Sequence, residues 1–177
     1  MKRNVLIVLA IVALACVAFV QNKSGLEAKA LPTETGPQKD MLAPSFSLKG
    51  LDGETYNVGG RSDKVLMLNF WASWCSPCKA EAPDLKYLYE KYKDQFDLYS
   101  VNVTKYDKPD KAKAFVDEYG LTNPILMDEN GDVYQTYRGI AFPTNFLIDK
   151  NGVVREVIVG IKPVKELERI VQKLIKE

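Results

Sequence analysis

The most constraining stretch of this chain is a junction. Val65–Trp71 is an apolar run rich in strand-forming residues, and just after it Cys75-Ser76-Pro77-Cys78 opens a stretch, Ala80–Lys93, whose apolar residues recur at helical spacing. A buried strand that feeds directly into a helix points to an α/β architecture. The two cysteines constrain the chemistry as well. A C-x-x-C pair at a helix start puts both sulfurs within bonding reach across one turn, so the pair can switch between dithiol and disulfide with little backbone motion.

The other elements fall in around that junction. Asp97–Val103 reads as a second buried strand, and Thr144–Ile148 and Val153–Val159 flank an Asp149-Lys150-Asn151-Gly152 turn as a hairpin. Pro109–Tyr119 and Pro163–Lys176 read as amphipathic helices, the last through Val164, Leu167, Ile170, Val171, Leu174 and Ile175. Phe46-Ser47-Leu48 and Thr55-Tyr56-Asn57-Val58, separated by Asp52-Gly53, add an amino-terminal β-hairpin. The order predicts a central mixed β-sheet flanked by helices on both faces. No internal repeat is visible. Residues 41–177 make the folded domain, long enough to bury about two-thirds of the surface of the unfolded chain without a disulfide to hold it together.

The amino-terminal part reads differently. Val5–Val20 carries neither charge nor proline, follows Lys2-Arg3-Asn4 and precedes Gln21-Asn22-Lys23, as an export segment would. As a helix the run spans roughly 24 Å against a hydrocarbon layer of roughly 30 Å, a gap that snorkelling Lys2, Arg3 and Lys23 could cover. Residues 1–23 are therefore assigned as a membrane anchor or signal segment and 24–40 as a linker, with an inside amino terminus and an extracytoplasmic domain. Three fates stay open: retention as an anchor, cleavage after Ala30 in Ala28-Lys29-Ala30, and lipidation at Cys16 in Ala13-Leu14-Ala15-Cys16.

Charge and composition close off other classes. Lys2, Arg3, Lys23 and Lys29 against Glu27 give the first thirty residues a net +3 and leave −2 for the remainder, so a basic nucleic-acid footprint is absent. The chain has no histidine, which removes the commonest general base and the commonest metal ligand. A zinc or iron–sulfur site would need about two ligands beyond Cys75 and Cys78, and haem attachment wants a histidine where Lys79 stands. A purely structural bridge gains little from so short a loop. No cofactor and no metal are expected, and redox exchange is the reading of the pair.

Position ranks the two thiols. Cys75 sits at the positive end of the helix, where unpaired N–H groups favour an anion, and is assigned as the nucleophile. Lowering a thiol pKa from about 8.5 to about 7 raises the thiolate fraction at pH 7 from roughly 3% to one half, a shift of about 2 kcal/mol. A helix terminus contributes about 0.3–1 kcal/mol, up to ~2 in good geometry, so hydrogen bonds from N–H groups or the Cys78 thiol supply the remainder. Pro77 lies in the first turn, where its missing N–H costs nothing, while Pro83 interrupts the helix further on.

Asn69-Phe70-Trp71-Ala72-Ser73-Trp74-Cys75-Ser76-Pro77-Cys78-Lys79 resembles the active-site stretch of the thioredoxin superfamily. More narrowly it resembles the membrane-tethered extracytoplasmic TlpA/ResA/StoA group. The likeness also runs through Ala43-Pro44-Ser45-Phe46, Lys79-Ala80-Glu81-Ala82-Pro83 and Phe142-Pro143-Thr144.

The resemblance implies a thioredoxin-like fold and a cis Phe142–Pro143 peptide facing the cysteines, with Trp74, Phe142 and Pro143 bordering the substrate. It implies a buried acid near the sulfurs as well. Asn69 stands where thioredoxin carries an aspartate, so Glu81, one turn beyond Cys78, is the candidate proton relay; its alternatives are a solvated glutamate or an ion pair with Lys79 or Lys86. Trp71 and Ile140 have two readings, cleft border or core, and the Lys105–Lys113 cluster with Asp107 and Asp110 reads as a solvated helix entrance.

The implied activity is thiol–disulfide oxidoreduction in the reducing direction, on exported proteins such as apocytochrome c or spore-envelope assembly factors. The implied partners are a membrane electron donor of the CcdA type and protein disulfides or dithiols, with no nucleic acid and a monomeric chain. The alternatives are a disulfide-forming oxidase, a copper-delivery protein and a non-catalytic peptide-binding module.

Overall fold

Seven apolar or aromatic-flanked positions in a row, Val65–Trp71, form β3, and such a strand is stable only if both faces are covered. The computed structural model, which describes residues 11, 12, 14 and 31–177, covers both. Val65 and Met67 point into one core with Leu85, Leu88, Leu167 and Val171. Leu68 and Phe70 point into the other with Val101, Leu126, Tyr134, Tyr137 and Phe146. The period-2 alternation of a strand thus divides one hydrophobic run between two cores.

The elements are β1 (Phe46–Lys49), β2 (Thr55–Val58), β3 (Val65–Trp71), α1 (Ser76–Tyr92), β4 (Phe96–Asn102), α2 (Pro109–Tyr119), β5 (Ile125–Met127), α3 (Asp132–Thr136), β6 (Thr144–Ile148), β7 (Val154–Val159) and α4 (Val164–Lys176). A single 3-10 turn, Thr104–Tyr106, links β4 to the approach to α2. β1 and β2 pair antiparallel as a separate hairpin. The other strands form one mixed sheet in the order β5-β4-β3-β6-β7, with β4 and β5 parallel to their neighbours and β6 and β7 antiparallel. This is the thioredoxin-like arrangement that the sequence implies. Two elements are additional to the expectation: β5, which extends the sheet beside β4, and the short α3.

α1 and α4 lie on the Val65/Met67 face, and α4 docks through Leu167, Val171 and Leu174, spaced four and three residues apart. α2 covers the end of the sheet nearest the cysteines, where Ala112 and Phe115 meet Trp71, Ile125 and Met127. The β6–β7 turn is fixed by Asp149, whose Oδ1 accepts the N–H of Asn151 and of Val153. Gly152 there has φ +81°, and a Cβ would come within 2.6 Å of the Gly60 carbonyl oxygen, so only glycine fits.

Residues 32–177 form a compact unit, so the linker assignment of 24–40 changes at its carboxyl end. Leu42 N–H donates to Glu34 O, Asp40 N–H to Val154 O and Val154 N–H to Met41 O, which lays residues 34–42 along the start of β7. Edge-strand groups that need partners account for this pairing, and no periodicity in a Gly- and Pro-containing stretch announces it. The apolar run of residues 5–20, Cys16 and the Ala28-Lys29-Ala30 site lie outside the described residues, apart from Ile11, Val12 and Leu14. Among the described residues no helix is long and apolar enough to cross a membrane.

Candidate active site

β3 delivers the chain to the site. It ends at Trp71, whose carbonyl accepts the Val103 N–H, and the loop Ala72-Ser73-Trp74 then turns into α1. Asp107 holds that loop from across the sheet end. Its carboxylate accepts the Ser73 N–H at 2.6 Å and the Ser73 hydroxyl at 2.6 Å, together with Asn102 Nδ2 and the Lys108 N–H, each at 2.8 Å. Partial burial raises the Asp107 pKa, but the bonds from Ser73, Asn102 and Lys108 outweigh burial and hold it below the ordinary aspartate value. The expectation of a solvated entrance is therefore corrected for Asp107. Its partner Ser73 is 34 residues away, a pairing that local charge alternation cannot reveal.

Cys75 and Cys78 are joined as a disulfide with their Cα atoms 5.2 Å apart. Cys75 is the N-cap of α1, and its sulfur accepts the Cys78 N–H at 3.1 Å. Pro77 occupies the first turn, and no acidic side chain there cancels the positive end of the helix. Both sulfur-bearing residues are 4% exposed, so exposure does not rank them. Their surroundings do: Cys75 caps the helix beside the exposed Trp74, whereas Cys78 lines an internal cavity with Asn69, Trp71 and Asn123.

Glu81 is 3% exposed, one turn beyond Cys78. Asn145 Nδ2 donates to its Oε1 at 2.8 Å and Asn69 Nδ2 to its Oε2 at 3.2 Å; the same Asn69 nitrogen also reaches Asn145 Oδ1 at 2.8 Å. The two asparagines stand directly opposite each other in the β3–β6 register. Neither alternative for Glu81 holds, since it is neither solvated nor ion-paired, and Lys86 pairs instead with Glu90. Burial pushes its carboxyl up to about 7, against the lowering bonds from Asn145 and Asn69 and with a smaller upward push from the Asp84 charge.

The remaining predicted residues divide between surface and core. Trp74 is 59% exposed, donates from Nε1 to Tyr106 O at 2.8 Å and meets the half-buried Phe142 edge-on, with ring centres 5.7 Å apart. Phe142 packs on the cluster that contains both cysteines, the Phe142–Pro143 peptide is cis, and the buried Pro143 accepts the Gly160 N–H through its carbonyl. Ile140 is exposed, while Trp71 is a core residue packed on Phe115 with ring centres 4.4 Å apart. Sequence reasoning did not single out Asn145, Asn123 or Tyr106, and it read Asp107 only as part of a solvated helix entrance. Asn145 had a legible signal, an amide inside an otherwise apolar strand. Among the described residues no three His, Cys, Asp or Glu side chains converge as metal ligands would.

Comparison with known proteins fits this geometry. The sequence pattern of the family described as Redoxin matches residues 38–174. The chain belongs to the redoxin family. This redoxin is 39% identical over 137 residues to the thioredoxin-like protein YneN of Bacillus subtilis, covering 77% of this chain and 80% of the relative. It is 37% identical over 134 residues to the thiol-disulfide oxidoreductase ResA of Bacillus thuringiensis subsp. konkukian, covering 75% and 76%. The crystal structure of a putative thiol:disulfide interchange protein DsbE from Chlorobium tepidum superposes with a TM-score of 0.69 at 31% identity, covering 76% of this chain and 95% of that one. The redoxin is a thiol–disulfide oxidoreductase of the ResA type with a thioredoxin-like fold.

Proposed function

We propose that this redoxin reduces disulfides in exported proteins outside the cytoplasmic membrane, tethered by residues 1–23 as a monomer and recharged by a membrane dithiol donor of the CcdA type. Apocytochrome c thiol pairs and spore-envelope assembly factors are the client classes. The observation that carries the reading is the pairing of a helix-capping sulfur, Cys75, with a buried carboxyl near neutrality, Glu81, on either side of Cys78.

In the dithiol form the Cys75 thiolate attacks one sulfur of a client disulfide, forming a mixed disulfide and releasing the other client sulfur as a thiolate. Trp74 and Phe142 form the surface that receives the client segment, with the buried Pro143 behind them. Glu81 as carboxylate takes the proton of the Cys78 thiol, and the Cys78 thiolate attacks Cys75 Sγ. The Cys75–Cys78 bond forms as the Cys75–client bond breaks. Two electrons have then moved from the pair to the client, which leaves as a dithiol once its sulfurs are protonated.

The test combines a potential with a trap. Equilibration of the full chain with glutathione should place its midpoint near or below about −200 mV, while a value near about −120 mV would overturn the reducing direction in favour of an oxidase. Cys78→Ser in cells should hold mixed disulfides through Cys75 with exported proteins; cytoplasmic clients alone would refute the placement. Mass spectrometry of the native amino terminus distinguishes retention from cleavage after Ala30 and from lipidation at Cys16.

A further inference from the structure

α3 is five residues long, Asp132–Thr136, and a helix of that length is not stable by itself. It is held from outside. The carboxylate of the buried Asp128 accepts the Tyr134 N–H at 2.8 Å and the Val133 N–H at 3.3 Å. The Tyr134 carbonyl in turn accepts the Gly139 N–H at 2.9 Å. Between them Arg138 takes φ +51°, a left-handed value that is unfavourable for a residue with a side chain. The turn out of α3 is thus fixed at both ends, and what it fixes is the buried ring of Tyr134. Gly139 completes the seat: a Cβ there would overlap that ring, although the Gly139 backbone itself is not left-handed.

The ring touches both rims of the disulfide cleft. Toward β6 it lies against Phe142 with ring centres 5.0 Å apart, and its hydroxyl donates to the Ala141 carbonyl at 3.3 Å. Thr144 Oγ1 donates to the same carbonyl at 2.7 Å. Toward the 3-10 turn after β4 the ring meets Tyr106 edge-on, with centres 6.3 Å apart. Trp74 closes the circuit from the other side, through its bond to the Tyr106 carbonyl and its edge-on contact with Phe142. Trp74, Tyr106, Tyr134 and Phe142 therefore form a closed ring of contacts in which Tyr134 ties together two loops far apart in sequence. Aromatic pairs in edge or offset geometry hold each other beyond what burial alone gives.

We propose that Tyr134 is a positioning residue for client recognition: it fixes the spacing between Trp74 and Phe142, so that the cleft selects disulfides carried on an extended peptide segment over small free disulfides. The inference rests on the client surface proposed above. A segment laid along the Phe142 loop binds well only if that loop is ordered beforehand, because ordering it on binding would subtract from the affinity. A small disulfide needs only the Cys75 sulfur, so the order of the rim does not enter its reaction.

The test compares two oxidants of the reduced full chain in single turnover, followed by tryptophan fluorescence: a short peptide closed by one internal disulfide, and hydroxyethyl disulfide. Each takes two electrons from the Cys75–Cys78 pair and leaves as thiols. Tyr134→Ala, and Gly139→Ala, which unseats the ring from the opposite side, should each raise the half-saturating peptide concentration about tenfold at an unchanged limiting rate. The rate with hydroxyethyl disulfide should stay at the wild-type value. Tyr134→Phe keeps the ring and loses one long hydrogen bond, so its half-saturation should remain within about threefold of wild type. An unchanged half-saturation in Gly139→Ala would overturn the proposal. Equal losses for both oxidants in the two alanine variants would overturn it as well, since a merely structural tyrosine moves both. A wild-type chain that favours the peptide no more than the small disulfide would refute the client surface itself, and this inference with it; a preference that survives in Gly139→Ala refutes the role of Tyr134 alone.

Discussion

A carboxyl group sealed among uncharged amides resists losing its proton, and Glu81 is held in that state by burial between Asn69 and Asn145. Raising its pKa from 4.5 to about 7 means that the folded chain binds more protons than the unfolded chain across that interval. Stability therefore falls as pH rises from 4.5 through 7 and stays lower above it. Glu81→Gln removes this dependence. Between pH 4.5 and 8 the wild-type chain should lose about 3 kcal/mol relative to the variant, read as the change in their urea midpoints. Parallel profiles would mean that the carboxyl ionises freely in the folded state. The same substitution should slow resolution of a Cys75 mixed disulfide about 100-fold and erase its inflection near pH 7, measured by stopped-flow release of a fluorescent thiol.

At the scale of elements, the active helix depends on a clamp from the turn after the neighbouring strand β4. Asp107 gathers Ser73, Asn102 and Lys108 at the entrance to α1, so its removal strands donors that shape the loop before Cys75. Asp107→Ala should cost about 2–3 kcal/mol, visible as a lower urea midpoint with an unchanged slope. Asp107→Asn, which keeps an acceptor oxygen, should lose less. If the alanine variant unfolds where the wild type does, the clamp is incidental. The difference between β3 and this clamp also explains what a sequence can display. Val65–Trp71 is buried on both faces by elements that any α/β chain supplies, so its apolar run is enough to recognise it. Ile125–Met127 is too short to show a period and becomes strand β5 only because Ser100, Val101 and Asn102 lie alongside. Cys75 and Cys78 were legible because their spacing carries their chemistry. Asp107 and Asn123 were not, because each is set by a contact, with Ser73 and with Ser100, more than twenty positions away.

For the whole molecule, the boundary of the folded unit decides how the sheet is closed. β7 is an edge strand, and an unpaired edge exposes backbone groups to other chains. Residues 34–42 cover its beginning: Asp40 N–H to Val154 O, Val154 N–H to Met41 O and Ala43 N–H to Gly152 O, with Arg155 bridging Asp40 and Asp149. A chain beginning at Pro32 retains all of these contacts and should unfold at the wild-type urea midpoint. A chain beginning at Pro44 loses three backbone hydrogen bonds and two ion pairs, Arg155–Asp40 and Lys39–Glu156, a cost of about 3 kcal/mol at about 1 kcal/mol per backbone bond, the ion pairs adding little. It should also self-associate through the bared start of β7, which sedimentation velocity would register as a concentration-dependent increase in mass. Equal stability of the two truncated chains would return residues 32–43 to the tether; a loss confined to the shorter one fixes the start of the domain before the disulfide chemistry begins.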